Sequence, residues 1–338
     1  MKRLLFFLLA VLATRALAAD PSADATAKFL AGMSVKGTPL EKQATNPDWV
    51  AYAADCDRDW KRFDEEQLNK IRTWAASSLG PAYEDRGPLY YLFSGPDFLY
   101  AHAFFPNAGS YILCGIEPIG TMPDADKIPP ETLGASLANL RKSLNSVFGQ
   151  SYFITKFMMT DLKKTQLNGT LPVLYVFLAR SGCTIDSVTM VALDSDGKFV
   201  SPEGKETTPG VKVVFRRPKG KQPQTLYYFA SDLADAPSKA KPGFSKFCEQ
   251  QGKGVTFLKA AAYLMGAAKF SLARDFLLTH SKLILQDESG IPYKFIEPEK
   301  WDIKIYAKDR DVTKPTRLPF TFGYEQQSAS SVMVATPK

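Results

Sequence analysis

Apolar residues recur at helical spacing at Val50, Ala53, Cys56, Trp60 and Phe63, a stripe that predicts an amphipathic helix. Its start is marked three times over. Asn46 is a good N-cap, Pro47 suits the first helical position, and Asp48 favours the positive end of the helix dipole. A second helical stretch over 64–79 stops at Gly80-Pro81. Helical patterns return over 130–148, closed by Gly149, and over 156–166, 172–180, 244–251, 257–265 and 271–280. Residues 20–45 are small and polar, with a short helical stretch near 25–31, and are expected to be a loose lead-in.

Between these lie runs of another rhythm. Residues 89–94 (LYYLFS) are too short a run for a helix, and Gly95-Pro96 ends them. An aromatic stretch over 98–105 closes at Pro106-Asn107-Ala108-Gly109, and a second strand-like run covers 110–116. Together they predict a βαβ-like unit over 89–117. Alternating runs over 211–216 and 225–230 flank the basic turn Arg216-Arg217-Pro218-Lys219-Gly220-Lys221 and predict a β-hairpin. Further strands are expected over 187–193, 282–285, 301–307 and 320–324. Helices and strands interleave without a repeat, which predicts an α/β or α+β fold on one mixed central sheet, a single domain over 46–330.

The first residues have a separate logic. Met1-Lys2-Arg3 is cationic, residues 4–13 (LLFFLLAVLA) are apolar, and Ala16-Leu17-Ala18-Ala19 offers small residues at alternate positions. That is the layout of a secretory signal peptide, here over 1–19, with cleavage expected after Ala18 or Ala19. The apolar run is shorter than the roughly 20 residues that span a bilayer. The expected product is a soluble bacterial protein, periplasmic or secreted, with no integral membrane association once the signal is removed. Lys2, Arg3 and Arg15 would leave with the signal, lowering the formal charge of +7 by three. So mild a charge, scattered along the chain, makes no case for a nucleic-acid partner.

Candidate chemistry is sparse. There are two histidines, His102 and His280, and four widely spaced cysteines, Cys56, Cys114, Cys183 and Cys248. No Cys/His cluster has zinc spacing, so no metal is expected. The cysteines allow two disulfides in three pairings, or four buried thiols. The densest segment is 92–107, where Ser94-Gly95-Pro96-Asp97 should turn from a strand into a helix. Open α/β sheets place ligands at such strand ends. Glu117, about 20 residues beyond Gly95, stands where an acidic residue holds a ribose in dinucleotide-binding folds. Yet the turn has a single glycine, Pro96 has no N–H to offer a phosphate, and Asp97 would repel one. No cofactor is therefore expected. A hydrolase would have to draw on Ser94, Asp97, His102, Glu117 or Asp287, with Glu288 and His280 as further groups, but no GxSxG elbow is present. The turn Gln286-Asp287-Glu288-Ser289-Gly290 is oxygen-rich without calcium-loop spacing, and Asp194-Ser195-Asp196-Gly197 reads as a plain β-turn.

The stretch LFSGPDFLYAHAFFPNAGSYILCGIEPIG, with TFLKAAAYLM, FSLARDFLL and ILQDESGIPY further on, resembles an uncharacterised family of exported bacterial proteins. The SGPDFLYA-FFPNA block carries most of that resemblance. It implies one exported unit and assigns no activity. The expectation is thus an exported protein that binds a small ligand or a cell-envelope component. The rivals are a periplasmic hydrolase working near the SGPD turn and a structural or partner-binding module.

Overall fold

The computed structural model describes residues 21–150, 167–204, 207–220, 222–307, 318–324 and 331–338. The signal peptide expected over 1–19 and the helix expected over 156–166 lie outside these residues. In chain order the described helices are α1 (Pro21–Leu30), α2 (Pro47–Phe63), α3 (Asn69–Ser78), α4 (Phe98–Phe104), α5 (Pro130–Gln150), α6 (Leu171–Arg180), α7 (Asp235–Ala240), α8 (Gly243–Gln251) and α9 (Ser271–His280). The strands are β1 (Pro88–Tyr91), β2 (Ser110–Gly115), β3 (Thr184–Leu193), β4 (Phe199–Val200), β5 (Thr208–Arg216), β6 (Gln224–Ala230), β7 (Gly254–Leu258), β8 (Ser281–Gln286), β9 (Trp301–Ala307) and β10 (Ser331–Pro337).

All ten strands share one mixed sheet, ordered β4-β3-β5-β6-β2-β1-β7-β8-β10-β9. The middle five, β6-β2-β1-β7-β8, are parallel. Antiparallel strands close both sides. Parallel strands must be covered on both faces, and alternation shows how. Leu89 and Tyr91, Tyr111 and Leu113, Val255 and Phe257 point into a core shared with α1 to α6. Tyr90, Ile112, Cys114 and Leu258 point the other way, into a core shared with α8 and α9. The result is an α/β fold of three layers. Among the described residues, no helix is long and apolar enough to cross a membrane.

The βαβ unit stands as β1-α4-β2, and the hairpin as β5-β6. Asn46 caps α2 by accepting from the Asp48 amide at 2.8 Å, with Pro47 behind it. Three expectations need correction. The lead-in is not loose: α1 is buried along Ala23, Ala27, Phe29 and Leu30. Its last carbonyls accept from distant side chains, Phe29 from Trp49 Nε1 at 3.0 Å and Leu30 from the Tyr52 hydroxyl at 2.5 Å. These are long-range caps, invisible to local pattern. Residues 257–265 are not a helix. They contain the end of β7 and the loop after it, and the apolar run of a fully buried parallel strand has no period to separate it from a helix. Residues 320–324 are not a strand but an irregular segment; the remaining strand is β10, which inserts between β8 and β9.

All four cysteines are free and buried. Burial pushes every thiol up, Cys183 to about 12. Thiolate is the reactive form, so alkylation of the native protein is expected to be negligible. Four equivalents of thiol should appear on unfolding, measured by a chromogenic thiol reagent with and without denaturant.

Candidate functional site

The strand order reverses about β1. From β1 the chain moves outward through β2 to β6, then returns to the other side with β7 and β8. Doubly wound sheets bind ligands outside the carboxyl ends of the strands at such a reversal. Here a cleft of about 500 Å³ lies at that point. Its walls are the segments that leave β1 (Phe93 to Asp97), β2 (Ile116 and Glu117), β6 (Ser231 to Leu233) and β7 (Lys259 to Ala262), with Phe270 and Tyr324 at the side.

The floor is a buried ion pair. Asp97 caps α4, its Oδ1 accepting from the Tyr100 amide at 3.1 Å. Its Oδ2 accepts from Lys259 Nζ at 2.8 Å and from the Tyr91 hydroxyl at 2.9 Å. Lys259 Nζ also sits 4.0 Å from the centroid of the Tyr100 ring, a cation–π contact. Both side chains are almost wholly enclosed, at 1% and 3% exposure. The pair ties the end of β7 to the start of α4. Burial, with the Asp97 charge next, holds the Tyr91 phenol well above its ordinary pKa.

Glu117 is folded back over two glycines. A methyl group on Gly115 would overlap its Oε2, and one on Gly95 would touch both carboxylate oxygens at 3.7 Å. The Tyr228 hydroxyl donates to the Glu117 carbonyl at 2.8 Å and lies 3.4 Å from Oε2. Ser94 is committed elsewhere. Its hydroxyl donates to the Gly95 carbonyl at 2.7 Å, while its amide and that of Gly95 both donate to the Cys114 carbonyl.

The loop after β7 is strained. Ala260, Ala262 and Tyr263 have φ of +51°, +50° and +60°, and Phe93 across the cleft has +68°. Non-glycine residues take this region rarely, and each instance costs about 1–3 kcal/mol unless its surroundings enforce it. The turn after β8 holds the start of the loop. Asp287 Oδ2 accepts from the Ala260 amide at 2.7 Å, and Ser289 Oγ accepts from the Ala261 amide at 2.7 Å. Ser289 in turn donates its hydroxyl and amide to Asp287 Oδ1.

The sequence candidates therefore divide. Ser94, Asp97 and Glu117 line one cleft, while Asp287 stands behind it and holds the loop. His102 is not among the lining residues; it packs between Phe98 and Tyr111, with Cys183 Sγ 4.0 Å from Nε2. His280 stacks on Phe276 and borders a separate hollow between α8 and α9. Lys259 and Asp232 were not apparent from the pattern. A lone lysine in an otherwise apolar run was the available signal for the first, since a buried ammonium requires a buried anion. Among the described residues, no group of three or more His, Cys, Asp and Glu gathers as a metal site would require.

No family model, curated protein or solved structure matches this chain.

Two buried groups set opposing pH dependences. Burial, with the Glu288 charge next, raises Asp287 to about 6. A carboxyl raised on folding favours the folded state when protonated, so its stabilisation is complete at low pH and is lost as pH rises from about 4 to about 6. Burial lowers His102 to about 4. That stabilisation is present above the ordinary histidine value near 6.5 and is lost as pH falls from there towards 4. NMR titration is expected to show the Asp287 carboxyl carbon moving near pH 6 and the His102 ring near pH 4. Ordinary values for both would contradict the enclosure described.

Proposed function

We propose that this is an exported bacterial protein whose cleft binds a small polar ligand, neutral or cationic and without phosphate. The observation that carries the proposal is the coincidence of the cleft with the strand reversal and with backbone strain. Of five non-glycine residues at positive φ among the described residues, three, Phe93, Ala260 and Ala262, line this one cleft, and a fourth, Tyr263, follows Ala262 in the chain. Such strain clusters at functional sites. Charge narrows the ligand. The lining carries three carboxylates, Asp97, Glu117 and Asp232, against one ammonium, Lys259, which is paired with Asp97. A phosphate would meet net negative charge and a proline where a glycine-rich loop would offer amides. Binding is favoured over hydrolysis because the Ser94 hydroxyl already donates to a carbonyl and no imidazole lines the cleft among the described residues.

Thermal unfolding in the presence of neutral, cationic and phosphorylated small metabolites tests the proposal. Neutral or cationic compounds are expected to raise the midpoint, and Glu117→Gln to abolish that rise. A response confined to phosphorylated compounds, or none from any class, would refute it.

A further inference from the structure

We infer that residues 260–263 form a two-state strap on the cleft wall: left-handed and latched as seen here, right-handed when the latch lets go. Local sequence and fold conflict at this point. Lys259-Ala260-Ala261-Ala262-Tyr263-Leu264-Met265 is built largely from residues that favour the right-handed helix, alanine most of all. Yet Ala260, Ala262 and Tyr263 have φ of +51°, +50° and +60°. Residues with a Cβ are disfavoured there, and none of the three positions holds a glycine. Conflicts of this kind between local preference and fold mark functional or strained sites.

The surroundings define two anchors and a latch. Before the strap, Lys259 is fixed to Asp97 at 2.8 Å. After it, Met265 is fully buried, and its carbonyl accepts from Arg274 Nη1 at 3.0 Å. Between these anchors, Asp287 accepts from the Ala260 amide and Ser289 from the Ala261 amide, both at 2.7 Å. Those two bonds are the latch. A right-handed start already adjoins the strap. Leu264–Gly266 is a 3-10 turn, in which the Leu264 amide donates to the Ala261 carbonyl at 3.0 Å and the Gly266 amide to the Tyr263 carbonyl at 3.1 Å. Ala262 and Tyr263 are exposed, which gives this part of the strap room to turn. Ala260, Ala261, Ala262 and Leu264 line the cleft, so the two states give it two shapes, and a ligand that prefers one shifts the balance. That consequence rests on the cleft being a small-ligand site; the backbone switch itself does not.

NMR of the full chain without any ligand tests the switch. Relaxation dispersion is expected to show exchange at the amides of residues 260–263, while those of Val255, Thr256 and Phe257 in β7 stay quiet. A strong intraresidue amide–Hα NOE marks positive φ in the latched state. Ser289→Ala removes one bond of the latch and should raise the right-handed population about tenfold, read as a weaker NOE at Ala260. Adding Ala262→Gly relieves the left-handed form of its strain and should restore that NOE. Unchanged φ in Ser289→Ala would overturn the inference, as would loosening that spreads into β7 and β8, or random-coil behaviour of residues 260–263 in place of a right-handed strap. If Ser289→Ala does not fold, quiet amides at residues 260–263 of the parent overturn it instead. If the switch is found and no compound binds, the ligand site falls and the strap stands.

Discussion

Asp97→Ala is expected to destabilise the fold by about 3–5 kcal/mol, the range for breaking one partner out of a buried ion pair. Three consequences coincide. The Lys259 ammonium loses the carboxylate 2.8 Å away while remaining enclosed, the Tyr91 hydroxyl loses its acceptor at 2.9 Å, and α4 loses its N-cap. The ammonium dominates, because a buried unpaired charge costs more than a lost cap of about 1 kcal/mol. Coupling distinguishes this from general disruption. Adding Lys259→Met removes the stranded charge, so the double variant should recover part of the loss instead of summing the two single losses. Urea denaturation of the parent, both single variants and the double variant reads the cycle. Losses under about 1 kcal/mol, or simple additivity, would mean that water reaches the pair and that it behaves like a surface bridge.

Gly115→Ala is expected to weaken ligand binding roughly 100-fold or more. An added methyl would overlap Glu117 Oε2 and come within 3.0 Å of both the Gly95 Cα and the Tyr228 hydroxyl. Of these the Glu117 carboxylate moves most easily, because Gly95 Cα is backbone and the Tyr228 ring is buried, so the methyl displaces the acceptor. Ligand hydrogen bonds to that charged group, each worth about 1.5–3 kcal/mol, would then be misaligned. The fold should survive with a loss of about 1–3 kcal/mol, the usual penalty for an extra methyl in a packed site. Gly266→Ala is the control, since its methyl meets only Pro292 Cγ at 3.4 Å. Calorimetric titration of both variants should separate them. Equal affinities would show that the placement of Glu117 is irrelevant to the site.

How much of this was readable in the chain depends on distance in sequence. The β1-α4-β2 unit was legible because its punctuation is local: Gly95-Pro96 ends one strand, and Gly109 precedes the next. Ser94, Asp97 and Glu117 were found for the same reason, as residues just past strand ends. The other wall of the cleft was not legible. Residues 254–258 form a strand buried on both faces, so β7 carries no alternation, and Lys259 to Tyr263 continue it with residues that favour helices. The start of this loop is held by Asp287 and Ser289 from the turn after β8, which accept from the Ala260 and Ala261 amides, a contact no local pattern encodes. Asp287 was noticed as a carboxylate in an oxygen-rich turn, but its work is to hold Ala260. The same limit hid the ordering of α1, whose last carbonyls are capped from α2, and the insertion of β10 between β8 and β9.

We propose one cleft, at the carboxyl ends of β1, β2, β6 and β7, as the place where a small molecule binds. Methyl-labelled NMR of the full chain during titration with the most stabilising compound tests it most directly. Shifts are expected to concentrate on Ile116, Leu233, Ala260, Ala261, Ala262 and Leu264. The methyls of Leu272 and Ala273, which line the hollow beside His280, should stay still. Shifts centred on that hollow, or spread over the surface with the cleft unmoved, would contradict it.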